Sequence, residues 1–131
     1  MNISAAISYY NLEADLLTVL AHPVRLQILD VLRSGETCVC HIQAVLEQRQ
    51  AYVSQQLMVL RRAGLVVWRK EGLRVFYQIS NPALVDLLDQ TRQWTEANRR
   101  GRARVPAILT PRKPCPCPRC AAEPKAGERP L

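Results

Sequence analysis

The chain has 131 residues, 18 Lys+Arg against 11 Asp+Glu for a formal charge of +7, and is 48% hydrophobic but only 5% aromatic. That is enough for one ordinary domain with a core, and no apolar run approaches the roughly 20 residues of a membrane helix. Five cysteines, odd in number and clustered, argue against a disulfide scaffold, and Met1-Asn2-Ile3-Ser4-Ala5 lacks the basic stretch of a secretory signal; a cytoplasmic protein with reduced thiols is expected.

Leu12, Leu16, Val19 and Leu20 recur at helical spacing, predicting a first helix that ends before Ala21-His22-Pro23. Pro23 suits a first helical position, with Leu26, Leu29 and Leu32 lining one face until Gly35. Thr37 is the expected N-cap of a short third helix carrying Val39, Ile42, Val45 and Leu46. After Glu47-Gln48-Arg49-Gln50, a fourth helix from about Ala51 to Ala63 buries Val53, Leu57 and Leu60 and stops at Gly64. The period then changes. Leu65-Val66-Val67-Trp68 and Arg74-Val75-Phe76-Tyr77-Gln78-Ile79 are β-rich, joined by Arg69-Lys70-Glu71-Gly72-Leu73 as a hairpin. Asn81-Pro82 caps a last helix with Leu84, Leu87, Leu88 and Trp94 as its apolar face.

Charge divides the chain. Residues 1–98 hold 9 basic and 9 acidic side chains, whereas 99–131 hold 9 basic and 2 acidic, with 7 of the 9 prolines and three of the five cysteines. A neutral globular domain (1–98) is therefore followed by a basic, Pro- and Cys-rich tail (99–131), mostly irregular and unable to build a core. The fold class is mainly α with a small β-hairpin, and two short helices before a basic hairpin describe a winged helix-turn-helix.

Once the core stripe of the fourth helix is set aside, Gln50, Ala51, Tyr52, Ser54, Gln55 and Gln56 remain. Amide and hydroxyl groups can donate to and accept from base edges in the major groove. Arg61, Arg62, Arg69, Lys70 and Arg74, opposed only by Glu71, suit phosphate contacts, which position a reader without specifying sequence. The competing reading is a merely solvated face. No Ser-His-Asp arrangement, phosphate-cradling Gly-rich loop or His-rich metal motif is present, so no enzyme is expected.

Leu20-Ala21-His22-Pro23-Val24-Arg25-Leu26-Gln27-Ile28-Leu29 resembles the second helix of the ArsR/SmtB metal-sensing repressors. Glu36-Thr37-Cys38-Val39-Cys40-His41-Ile42 is similar to that family's Cys-Val-Cys box, and Val53 to Val66 to its recognition helix running into the wing. The resemblance spans roughly residues 12–98. It implies a homodimer, joined through its first and last helices, that represses transcription until a metal or metalloid ion lowers its affinity for operator DNA. It also implies DNA contacts from Gln50, Ala51, Ser54 and Gln55, with Arg69, Lys70 and Arg74 on the wing. His41 stands where the family usually has an acidic residue, and Glu47-Gln48-Arg49 where it usually has a turn glycine.

Thiolates favour zinc, cadmium, lead, monovalent copper and trivalent arsenic or antimony over hard cations. Cys38 and Cys40, two residues apart, diverge by about 200° on an ideal helix, so they share an ion only if Cys38 sits on a fraying or distorted first turn. The tail adds Cys115, Cys117 and Cys120, held extended by prolines at 114, 116 and 118. The expected site joins Cys38 and Cys40 to one or two of these: three sulfurs for arsenite or antimonite, four for cadmium, lead or zinc. His41, three residues after Cys38, is a possible nitrogen ligand, His22 is structural, and Trp68 and Trp94 are core and interface residues. Two alternatives stay open: a thiol redox or persulfide switch on the same fold, for which Cys-Val-Cys looks poorly placed to bridge, and a metal-sequestering or structural-zinc protein.

Overall fold

A computed structural model describes residues 3–99. The domain reading of the tail from 100 onward, including Cys115, Cys117 and Cys120, lies outside the described residues. The elements are α1 (Ile3–Leu20), α2 (Pro23–Leu32), β1 (Thr37–Cys38), α3 (Val39–Leu46), α4 (Gln50–Arg62), β2 (Val66–Glu71), β3 (Arg74–Ile79) and α5 (Ala83–Asn98). This is the winged helix-turn-helix that the sequence predicts, with one additional strand.

Local chemistry sets the boundaries. His22 caps α2: its Nδ1 accepts from the Val24 N–H at 3.2 Å, while Pro23 fills a first-turn position whose N–H would have no helical partner. Its role is structural, as expected. α4 ends in a Schellman motif, with Gly64 at φ 76° and the Leu65 N–H bonded to the Leu60 carbonyl at 3.0 Å. Asn81 Oδ1 accepts from the Ala83 N–H at 2.9 Å at the start of α5.

Thr37 is not the cap of α3. Cys38 is, because Thr37 is drawn into β1 opposite Tyr77 of β3, leaving the next residue extended at the helix start. The sheet is three-stranded and antiparallel in the order β1-β3-β2. The hairpin turn is also shorter than predicted. Glu71 pairs with Arg74, leaving only Gly72 and Leu73 in the loop, and Gly72 takes φ 60° at the first central position, as in a type II′ turn. Arg69 and Lys70 therefore belong to β2.

Ile28, Leu29, Ile42, Val53, Leu57 and Leu60 are fully buried where α2, α3 and α4 meet, and Leu20, Val66, Tyr77, Leu84 and Leu88 extend this core to the sheet and α5. Leu26 points outward; Ile28 takes the core position expected of it. A charged network ties α2 to α5: Asp30 lies between Arg33 at 2.8 Å and Arg92 at 2.7 Å, and Arg33 also pairs with Asp89. Ile3, Ile7, Tyr10 and Leu17 on α1, and Trp94 on α5, are exposed in the single chain, an apolar surface on the first and last helices.

Candidate nucleic-acid interface and thiol pair

Val53, Leu57 and Leu60 turn one face of α4 into the core, while Ala51 and Gln55 on the far side, Ser54 on the flank and Gln50 in the first turn are all exposed. Gln56 does not join them. It is 7% exposed, and its Oε1 accepts from the Arg25 Nε at 2.9 Å, while Arg25 also donates to the Val19 carbonyl at 3.0 Å. Arg25 thereby links the end of α1 to the middle of α4. Nothing in the local sequence separates Gln56 from Gln55 except their angle about the helix axis.

The cations occupy two settings. Arg62 and Lys70 are exposed, and Arg74 is half-buried next to the wing turn. Arg61 lies over the Trp68 ring at 4.5 Å, so Trp68 is a half-open platform on β2 and not a core residue. Arg69 is engaged on every nitrogen. Its Nε donates to Glu36 Oε2 at 2.8 Å, its Nη2 to Glu36 Oε1, and its Nη1 to Glu71 Oε2 at 2.8 Å. The hydrogen bonds it donates to Glu36 and then to Glu71 hold its guanidinium pKa above its usual range. The side chain also stacks over Phe76 at 4.7 Å.

Cys38 and Cys40 are joined by a disulfide, with Cα atoms 5.3 Å apart, well inside the range that bridged cysteines adopt. The geometry expected to prevent a bridge does not arise, because Cys38 is off the helix, extended at φ −67° and ψ 142°. Its sulfur caps α3 by accepting from the Cys40 N–H at 3.3 Å. Cys38 is buried against Phe76, with Cys40 and Ala44 packed beside them. His41 is half-buried on α3. Among the described residues no group of three or more His, Cys, Asp or Glu side chains could hold a metal ion. Once reduced, the Cys38–Cys40 pair offers two soft donors.

Residues 22–67 match the family described as "Bacterial regulatory protein, arsR family". The chain is 42% identical over 86 residues to the transcriptional activator HlyU of Vibrio cholerae, covering 63% of this chain and 78% of that protein. The chain belongs to the ArsR family. Another ArsR-family relative, a biofilm growth-associated repressor of Agrobacterium fabrum, is 42% identical over 76 residues, which cover 58% of this chain and 65% of the repressor's length. In three dimensions the chain is similar to the homodimeric winged helix-turn-helix DNA-binding domain Mb0332 of Mycobacterium bovis. The TM-score is 0.67, the identity 27%, and the match covers 81% of this chain and 96% of that one. ArsR-family relatives are DNA-binding regulators, and the fold described above is theirs. No helix among the described residues is long and apolar enough to cross a membrane.

Proposed function

We propose that this ArsR-family protein is a homodimeric cytoplasmic repressor that leaves its operator when Cys38 and Cys40 bind a thiophilic metal or metalloid ion. The observation that carries the reading is the convergence of the two sulfurs at the α3 N-cap, on a strand paired directly with the wing. Dimerisation through α1 and α5 is supported by their exposed Ile3, Ile7, Tyr10, Leu17 and Trp94. Gln50, Ala51, Ser54 and Gln55 read base edges, while Arg61, Arg62, Lys70 and Arg74 meet phosphates.

In the reduced protein both sulfurs are free to ligate, and thiols at a helix N-terminus ionise more readily. Each thiol that engages arsenite displaces one hydroxyl of As(OH)3 as water. One of Cys115, Cys117 and Cys120 supplies the third sulfur for arsenite or antimonite; two would complete four for cadmium, lead or zinc. A coupling of about 1–3 kcal/mol between the sites lowers DNA affinity roughly 5- to 150-fold. The test uses a duplex selected by the protein from a random-sequence pool. Reduced protein is titrated with arsenite, antimonite, cadmium, lead and zinc while DNA affinity and thiolate-to-metal absorbance are followed. Release by at least one ion is expected; release by none overturns metal regulation.

The bridged pair favours one other reading, a redox switch. Two thiols give two electrons and two protons to hydrogen peroxide, which leaves as two waters, and the new S–S bond alters the α3 N-cap. Peroxide-induced release, with a Cys38–Cys40 bridge found by mass spectrometry and no response to metals, would select it.

A further inference from the structure

One row of side chains crosses the sheet from the thiols to the wing. Cys38 of β1 lies opposite Phe76 of β3, and Phe76 lies opposite Arg69 of β2. Residues directly opposite on neighbouring strands share a face, so the three side chains stand together. Contacts agree: Cys38 packs on Phe76, and the Arg69 guanidinium lies 4.7 Å above the same ring. A second link runs outside the sheet. Glu36, two residues before Cys38, grips Arg69 through both carboxylate oxygens, and the planar fork of Arg matches that pairing.

This setting is wrong for a phosphate contact. Nε, Nη1 and Nη2 all donate to carboxylates, and two negative charges surround the one positive. A DNA phosphate approaching Arg69 meets a site that is negative overall and has its fork occupied. Resting on the thiol-responsive reading above, we infer that Arg69 is a positioning residue. It is a clamp that carries the state of the Cys38–Cys40 pair to β2 and β3, and so to Lys70 and Arg74, and it does not bind DNA. The clamp joins segments 33 residues apart in sequence. A shift of Cys38 on ligation or oxidation pulls Glu36 and Phe76 together, and both hold Arg69.

The test uses the full chain, reduced, with arsenite and hydrogen peroxide as separate probes, comparing wild type with Glu36→Gln. The duplex is the pool-selected one. Glu36→Gln should bind the duplex within about threefold of wild type and take up arsenite with unchanged thiolate absorbance. Its probe-induced release should fall at least about fivefold, within the range of ordinary allosteric couplings. Glu36→Asp should restore part of the response. A DNA-free readout comes from the two indole N–H resonances, assigned with Trp68→Phe. Trp68 neighbours Arg69 on β2, and its signal should shift with either probe in wild type but not in Glu36→Gln. Full release of Glu36→Gln overturns the clamp while leaving thiol regulation intact. Loss of duplex binding by Glu36→Gln without probe also overturns it, since Glu36 would then support the wing irrespective of the thiols. If neither probe releases wild type, and antimonite, cadmium, lead and zinc do not release it either, the thiol-responsive reading itself fails and the clamp falls with it; if one of those ions does release it, that ion replaces arsenite as the probe in the same comparison.

Discussion

Glu47 is the one described non-glycine residue in the left-handed region, at φ 52°. It sits at the C-cap of α3, where its N–H still bonds to the Gln43 carbonyl at 2.9 Å. For a side chain with a Cβ this conformation costs roughly 1–2 kcal/mol, and the greater unfolded-state freedom of glycine offsets roughly half of any relief. Glu47→Gly should therefore stabilise the protein by about 0.5–1 kcal/mol, raising Tm by a few degrees in thermal unfolding at fixed protein concentration. The neighbouring glutamines on α4 give a sharper contrast. Gln55→Ala removes an exposed amide from the face proposed to read DNA and should weaken binding to the selected duplex by about 1–3 kcal/mol, with little change in stability. Gln56→Ala should do the reverse. It leaves the Arg25 Nε without its protein acceptor and should cost about 1–3 kcal/mol in urea unfolding, while duplex affinity of the folded protein stays within about threefold. Equal loss of affinity in both variants would contradict the inward placement of Gln56.

Element by element, periodicity carries most of the fold. The fourth helix, with Val53, Leu57 and Leu60 inward, follows from 3.6-residue spacing, and the alternation to β-rich runs marks the wing. What periodicity cannot carry is a two-residue strand. Thr37 and Cys38 have no repeat to detect, and only their pairing with Tyr77 and Phe76 makes them β1. The same pairing decides the thiol geometry, because it pulls Cys38 out of the helix that a regular reading would continue through it. Likewise the Glu36–Arg69 contact spans most of the motif, and a count of local cations assigns Arg69 to phosphate when its partners are carboxylates. The capping role leads to a prediction about α3. Serine is a better N-cap than most residues, so Cys38→Ser should keep α3 formed, with stability within about 1 kcal/mol of the reduced wild type. DNA affinity should stay near wild type as well. Release by arsenite and by peroxide should both disappear, because Cys40 alone can neither form the bridge nor close a chelate at the α3 N-cap, and without Cys38 the sulfurs of the tail do not act on that cap. A Cys38→Ser protein that still leaves the duplex on either treatment would place the responsive chemistry elsewhere.

At the scale of the whole molecule, charge and function are distributed unequally. Residues 1–98 are neutral overall, and the surplus lies in 99–131 with Cys115, Cys117 and Cys120. The phosphate contacts proposed for the folded part are Arg61, Arg62, Lys70 and Arg74, which a dimer presents twice. Each neutralised phosphate of duplex DNA releases counterions and adds about −0.9 to the slope of log K against log salt concentration, so eight contacts set a slope near −7. Truncation after Gly101 leaves every described core residue in place, because the core ends at Leu88. The truncated dimer should therefore fold and show a slope of about −7 or shallower. If the tail's basic residues also meet phosphates, the full chain is steeper by about one unit for each further contact, and we expect at least two. The same pair of proteins separates charge from sulfur. Removing the tail should weaken arsenite binding and reduce the thiolate absorbance to that of two sulfurs, because Cys38 and Cys40 are the only cysteines left. A slope that does not change, with arsenite binding lost, would restrict the tail to ligation. A shallower slope with arsenite response intact would make it a DNA-binding extension and remove it from the sensing site.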